Sequence, residues 1–177
     1  MSVQGLTHIY YGNGKGKTTA ALGLALRAAG CGKNVVVVHF LKDWNCGELS
    51  SLELIPKVTV FQGKSSGGVF VRDMNDEQKA ETKAIQDGNL KKALKLQAKG
   101  LCDLLILDEA IDAYQLGVLD SELFNGLLDN KPESLELVIT GHRPTDDLTE
   151  RADYVTEMVK RKHPYDMGVS ARRGVEF

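Results

Sequence analysis

Apolar side chains in this chain gather into short runs bounded by turn-forming residues, at Thr7 to Tyr11, Asn34 to Leu41, Val58 to Phe61, Leu104 to Leu107 and Leu135 to Thr140. The segments between them have helical character. Strands that are apolar at consecutive rather than alternate positions are buried on both faces, so the pattern predicts a parallel sheet with helices on each side. A sixth strand is predicted at Tyr154 to Met158.

The first helix is predicted at about Lys17 to Ala29, where Ala20, Ala21, Leu22, Leu24, Ala25 and Ala28 let it approach the sheet closely. Gly30 is its expected stop, because glycine enters the left-handed cap conformation without a Cβ penalty. A second helix is predicted over Asp76 to Lys99, with Ala80, Ala84, Leu90, Leu94 and Ala98 on one side. Gly88 inside it costs up to about 1 kcal/mol relative to alanine and is where it could break. Lys91, Lys92, Lys95 and Lys99 read as a solvated face, since no aromatics are interleaved with them for stacking bases. Asp43 to Ser51 and Gly63 to Asn75 have little periodicity and several glycines. Both read as loops at strand ends, where sites are built.

Composition narrows the function classes. A chain of 177 residues is long enough for one domain with its own core, and no repeat, low-complexity tract or linker divides it. With 22 basic and 24 acidic side chains the formal charge is −2, so no global field favours nucleic acid or an anionic membrane. The segment Met1 to Thr7 lacks both a basic segment and an apolar stretch of signal-peptide length, and no window approaches the ~18 apolar residues of a membrane span. Cys31, Cys46 and Cys102 include no CxxC pair and read as reduced thiols. A soluble cytoplasmic protein is expected.

The chemistry is concentrated at residues 12–19, Gly-Asn-Gly-Lys-Gly-Lys-Thr-Thr, between the first apolar run and the small-residue helix. This is a phosphate-binding loop shortened by one residue: Gly12 and Gly16 enclose three residues instead of four, and Tyr11 stands where the first glycine would be. Such a turn meets a triphosphate with converging N–H groups and the positive end of a helix dipole. Gly12, Gly14 and Gly16 are expected to permit the close wrap, Lys17 to neutralise the terminal phosphates, Thr18 to ligate magnesium, and Lys15, Asn13 and Thr19 to complete the nucleotide contacts. Strand, loop and helix in this order predict an α/β P-loop NTPase fold of the RecA-like kind, with a mostly parallel sheet and helices on both faces, as one domain over 1–177.

The run Leu104-Leu105-Ile106-Leu107-Asp108-Glu109 supplies the partner, an apolar strand ending in acids placed to hold Mg2+ directly or through water. Spacing leaves open which acid takes the inner position. In a hydrolytic ATPase, Glu109 would orient water instead.

Over nearly its whole length the chain resembles the P-loop type of ATP:corrinoid adenosyltransferase. The likeness rests on Gly12-Asn13-Gly14-Lys15-Gly16-Lys17-Thr18-Thr19-Ala20-Ala21, Arg27, Gly32-Lys33-Asn34-Val35, Phe40-Leu41-Lys42, Gly47-Glu48, Leu107-Asp108-Glu109 and Thr140-Gly141. It extends through Lys162-His163-Pro164-Tyr165-Asp166-Met167-Gly168 and Gly174-Val175-Glu176-Phe177. The resemblance implies transfer of the 5′-deoxyadenosyl group of ATP to the Co(I) of a reduced corrinoid, cobalamin or cobinamide, with triphosphate leaving. It further implies a nucleotide lying in the reverse sense to ordinary P-loop ATPases, Mg2+ held by Thr18 and Glu109, Arg27 touching the nucleotide, a flavoprotein electron donor and a homodimer. Lys17, Thr18 and Glu109 are then the catalytic set.

The chain departs from that pattern at three places. Many relatives carry Gly-Phe-Thr-Trp before the long helix, where this chain has Gly67-Gly68-Val69-Phe70-Val71, leaving Phe70 to cover the corrinoid or to join the core. His39 stands where a glutamine is common, and His142 where an arginine follows Thr-Gly, with Arg143 one step later. Two other functions fit parts of the pattern: a RecA-like ATPase or kinase, and a non-catalytic corrinoid- or ATP-binding regulator.

Overall fold

The computed structural model describes residues 4–42, 47–63 and 69–176. Cys46, Gly67, Gly68 and Phe177 lie outside them. Six strands, β1 (Thr7–Tyr11), β2 (Val35–His39), β3 (Val58–Gln62), β4 (Leu104–Asp108), β5 (Glu136–Gly141) and β6 (Tyr154–Glu157), form one sheet in the order β3-β2-β4-β5-β1-β6. Every pairing is parallel, so the predicted mostly parallel sheet is parallel throughout the described residues. Each of the six predicted runs became a strand within two residues of its expected ends.

Consecutive apolar residues in the strands serve opposite faces, as a period of two requires. Val35, Val37, Leu104, Ile106 and Val138 pack against α1 (Lys17–Gly30) through Ala21, Leu22 and Ala25, and against Leu52 of α2 (Gly47–Leu52). On the other face Val36, Val38, Leu105, Leu107, Leu137 and Ile139 meet four helices. These are α3 (Asp76–Ala98), α4 (Ala110–Gln115), α5 (Ser121–Asp129) and α6 (Asp146–Glu150). Their buried apolar residues include Leu90, Ile111, Phe124 and Leu148. No helix among the described residues is long and apolar enough to cross a membrane.

Several expectations are corrected. The stretch from Asp43 contains a helix, α2, whose buried Leu49 and Leu52 are too few to give a readable period. The segment before α3 includes a 3-10 turn at Val71–Asp73. Helix α1 runs on through Gly30, and the left-handed residue that follows is Gly32 at φ 80. Helix α3 does not break at Gly88, and its buried face is Thr82, Gln86, Asp87, Asn89, Leu90 and Ala93, with Ala80, Ala84 and Ala98 exposed. A capping box between Asn75 and Gln78 starts α3, and Thr82 donates to the Met74 sulfur at 3.5 Å, which offsets the weak apolar patterning. Helices α4 to α6 fall in segments read as helical but given no bounds. Of these, α5 and α6 begin at side-chain caps, Asp120 and Thr145.

Pairing in register brings the carboxyl ends of β1, β2, β4 and β5 into one row, with Tyr11 opposite Gly141 and His39 opposite Asp108. The phosphate-binding loop leaves this edge, where open α/β sheets place ligands. The edge is completed from far along the chain. Met158, just past β6, donates its N–H to the Tyr11 carbonyl and accepts from the Gly14 N–H, each at 2.7 Å.

That contact separates two glycines sharply. A Cβ on Gly14 would stand 2.6 Å from the Met158 carbonyl oxygen, whereas one on Gly88 would meet nothing within 4 Å. Gly14→Ala is therefore expected to lower unfolding free energy by on the order of 2 kcal/mol, and Gly88→Ala to raise it by up to about 1 kcal/mol. Urea denaturation checks both, and equal midpoints for Gly14→Ala and wild type would contradict the loop contact.

Candidate nucleotide site

The centre of the site is a carboxylate with no solvent exposure. Asp108, the last residue of β4, accepts at Oδ1 from the Thr18 and Thr140 hydroxyls, both at 2.8 Å. Its Oδ2 accepts from His39 Nδ1 at 2.9 Å and Lys42 Nζ at 2.8 Å. A carboxylate has about four lone-pair positions, and four donors occupy them. Burial alone would raise the Asp108 pKa, but the His39 hydrogen bond and the Lys42 charge hold it well below the ordinary carboxylate range. Burial would likewise lower Lys42, yet the charge and hydrogen bond of Asp108, with Glu109 and Glu48, carry it above its usual value.

Glu109, one residue on, has the opposite environment. It takes a left-handed conformation (φ 62, ψ 19) at the junction of β4 and α4, and its N–H donates to the Thr140 hydroxyl at 2.9 Å. Left-handed backbone in a residue other than glycine, asparagine or aspartate is uncommon, and here it sends the side chain of a strand-end residue into the cavity. No hydrogen bond to the carboxylate is seen among the described residues. Burial, followed by the neighbouring Asp108 charge, pushes the Glu109 pKa up to about 7.

The loop holds its cations close. Lys17 Nζ donates back to the Gly14 carbonyl at 3.0 Å, and Lys15 Nζ to the Val175 carbonyl at 2.7 Å. Asn13 accepts from the Lys160 N–H at 2.9 Å through its side-chain oxygen, leaving its amide nitrogen to donate elsewhere. Gly12 donates to the His142 carbonyl and Gly14 to that of Met158, so both give their N–H groups to protein backbone and their missing side chains to the approach of Met158.

These groups open on a cavity of about 960 Å3. Its floor is the loop from Asn13 to Thr19, with Glu109, Thr140 and His142 at the sheet edge. Its sides are Leu22 and Leu26 of α1, Glu48 of α2, and His163, Val175 and Glu176 from the C-terminal segment. His142 hydrogen-bonds Asp112 at 3.1 Å, which raises its pKa.

Thus Asn13, Gly14, Lys15, Gly16, Lys17, Thr18, Thr19 and Glu109 are brought together on one wall. Gly12 and Asp108 lie behind it. Asp108 stands behind Thr18 with four donors on its carboxylate, so the acid exposed on the wall beside Thr18 is Glu109. Arg27 and Phe70 are not on the wall. Arg27 is ten residues along α1 from Lys17, about 15 Å at helical rise. Phe70 is 63% exposed and carries the Arg72 guanidinium 5.3 Å from its ring centre.

Sequence reading gave no role to Lys42, Thr140, Glu48 or the Met158 and Val175 carbonyls. Lys42 and Thr140 stood in motifs, but only the fold turns them toward Asp108. Among the described residues no cluster of three or more His, Cys, Asp or Glu could hold a metal. A site offering Thr18 and Glu109 to a hard cation fits Mg2+, which commonly takes one or two carboxylates and completes its shell with phosphate oxygens and water.

A parallel sheet whose first strand enters the α1 N-terminus through this loop, with a buried acid behind the loop threonine, defines a P-loop nucleotide-binding protein. The profile described as "ATP:corrinoid adenosyltransferase BtuR/CobO/CobP" matches residues 3–177. The Corrinoid adenosyltransferase CobA of Salmonella typhimurium is 35% identical over 176 residues, covering 98% of this chain and 86% of that protein. The Corrinoid adenosyltransferase of Pseudomonas aeruginosa is 33% identical over 175 residues, covering 98% and 84%. A solved structure of the cytoplasmic domain of EssC superposes with a TM-score of 0.53 at 19% identity, over 95% of this chain and 34% of that one, a likeness of fold alone. The chain belongs to the ATP:corrinoid adenosyltransferase family and is a transferase that moves the adenosyl group of ATP to a corrinoid.

The raised pKa of Glu109 links the site to stability. A carboxyl whose folded pKa lies above its unfolded value costs stability as it ionises, so the metal-free protein is expected to weaken between about pH 4.5 and 7 by at most about 3 kcal/mol from this group. Glu109→Gln should remove that slope. Urea titrations at pH 5 and pH 8 test it, and parallel pH profiles for variant and wild type would contradict it.

Proposed function

We propose that this chain joins C5′ of ATP to the Co(I) of a reduced corrinoid, with the C5′–O bond breaking and triphosphate leaving. The cobalt electron pair forms the new bond, cobalt rises formally from I to III, and the electrons of the broken bond remain on the α-phosphate oxygen. The protein supplies no nucleophile. What carries the reading is the composition of the cavity wall: Lys15, Lys17, loop amides, the Thr18 hydroxyl and Glu109 face one space, and no cysteine lines it among the described residues.

In this reading the chain's residues act on the leaving group. Lys17 exchanges its contact with the Gly14 carbonyl for phosphate oxygens, and Lys15 can leave the Val175 carbonyl in the same way. Neither then faces an uncompensated loss, because each trades a neutral acceptor for an anionic one. Preorganised donors where charge develops are a large term in such reactions. Mg2+, when bound, would be held by Thr18 and Glu109 and supplies neutralisation of phosphate charge. Thr19 and Asn13 border the nucleotide, while Arg27 and Phe70 remain proposed contacts that would require substrate to extend beyond the cavity wall.

The rest of the proposal follows the family resemblance: one domain over 1–177, cobalamin or cobinamide as substrate, a reduced flavoprotein as electron donor, a homodimer and a cytoplasmic setting. Sedimentation tests the oligomeric state, with a monomer the contrary result.

With ATP, Mg2+ and chemically reduced cobalamin, the expected products are a light-sensitive alkylcobalamin spectrum and inorganic triphosphate. ADP and phosphate alone would instead establish an ATPase, and ligand binding without turnover a regulator. Lys17→Ala should reduce kcat/KM by roughly 100-fold or more, the scale seen when a charge-stabilising donor is removed. Wild-type rates in that variant would exclude the loop as the site.

A further inference from the structure

The reaction described above does not use the two donors to Asp108 Oδ2, of which Lys42 lines the same cavity as the phosphate-binding loop while His39 is not among its lining residues. They differ in kind: a histidine buried to 1% exposure at the end of β2, and a lysine three residues later whose side chain is 10% exposed. Both meet Oδ2, while Oδ1 is left to the two threonines. We propose that His39 and Lys42 are positioning residues for the transfer, acting through Asp108 on the Thr18 hydroxyl. The inference rests on the adenosyltransferase reading of the site.

A carboxylate can turn about its Cβ–Cγ bond and exchange its oxygens. Two donors converging on Oδ2 fix its plane and direct Oδ1 at Thr18. With the Thr18 proton given to Asp108, only the hydroxyl lone pairs face the cavity, the polarity a cation needs. Without that acceptor the same hydroxyl could turn its proton outward and present a cation with the wrong end of its dipole. The groups behind Asp108 therefore decide whether Thr18 is a ligand.

Two further observations show that this arrangement is built. Leu41, immediately before Lys42, adopts a left-handed conformation at φ 59, which for a leucine is strained and turns the chain so that Lys42 reaches back to the sheet. The same ammonium lies 3.6 Å from Glu48, tying the first turn of α2 to the carboxylate. His39 uses one ring nitrogen only, its Nε2 being buried without a hydrogen-bond partner among the described residues. A ring whose single proton sat on Nε2 would set the bare Nδ1 lone pair against a carboxylate, so Nδ1 carries a proton and donates it to Oδ2.

The test compares wild type with His39→Leu and Lys42→Met, which remove each donor, and with His39→Gln and Lys42→Arg, which retain one. Three readouts are taken: the His39 tautomer by nitrogen-15 NMR without metal, the half-saturation for Mn2+ in the presence of ATP by electron paramagnetic resonance, and kcat separated from KM for the corrinoid. The donor-deleted variants are expected to raise the Mn2+ half-saturation and lower kcat by roughly ten-fold each, as loss of groups that orient a ligand does, with corrinoid KM unchanged. His39→Gln and Lys42→Arg should recover most of both losses. Should the deleted variants fail to fold, the tautomer and the two conservative variants still decide. A His39 ring with no proton on Nδ1, or Mn2+ half-saturation within two-fold of wild type in both deleted variants, would overturn the proposal. Absence of alkylcobalamin from wild type would instead defeat the adenosyltransferase reading, with the Mn2+ and NMR results still testing the role of His39 and Lys42.

Discussion

The carboxyl edge of this sheet is organised by the cost of burying one negative charge. An ionised carboxylate removed from water is tolerated only if its acceptor positions are filled, and a cation nearby offsets much of the remaining penalty. Asp108 meets that requirement with donors from four places: α1 gives Thr18, β5 gives Thr140, β2 gives His39, and the turn after β2 gives Lys42. Each must arrive at its distance for the charge to be tolerable. The position of the loop helix relative to the sheet is therefore tied to an electrostatic condition as well as to the packing of Ala21 and Ala25.

Adjacent acids with opposite fates follow from the same geometry. Asp108 ends a strand and points into the network, whereas the left-handed turn at Glu109 sends the next side chain out of it. One acid is held ionised by its neighbours. The other, desolvated and crowded by the first, has its pKa pushed up to about 7, and its carboxylate has no hydrogen bond among the described residues. Pairs of acids driven apart in this way mark sites where one group is fixed and the other is available. The division explains why two carboxylates in sequence do not amount to two equivalent cation ligands.

Much of the fold could be read in the sequence because its strongest signals are local. Double-faced burial makes strands continuous apolar runs, and the loop motif needs only a strand before it and a helix after it. Helices α2, α4 and α6 were not legible, since five or six residues hold too few turns to show a period. Helix α3 was read only in part: Leu90 and Leu94 of the expected side meet the core, but Ala80, Ala84 and Ala98 do not, because the buried face is completed by Thr82, Gln86, Asp87 and Asn89. At the site, residues 12–19 and 108–109 were recoverable as motifs. Lys42 was not, because its role depends on a strained turn at Leu41 and on β2 lying beside β4 rather than beside β1. The same holds for the backbone carbonyls of Met158 and Val175, which no side-chain pattern can announce.

The contact between Gly14 and Met158 has a consequence for how the chain folds. Residues 144 positions apart share a backbone hydrogen bond at the heart of the loop, and contacts of such separation form late because a long stretch of chain must close first. During synthesis the loop sequence emerges well before β6, the strand that braces it. The nascent chain therefore carries an unbraced loop and an open β1 edge until β6 has been made. Nucleotide binding with full affinity would then begin only once Met158 has joined the fold, which makes acquisition of ligand a late event in the maturation of the sheet.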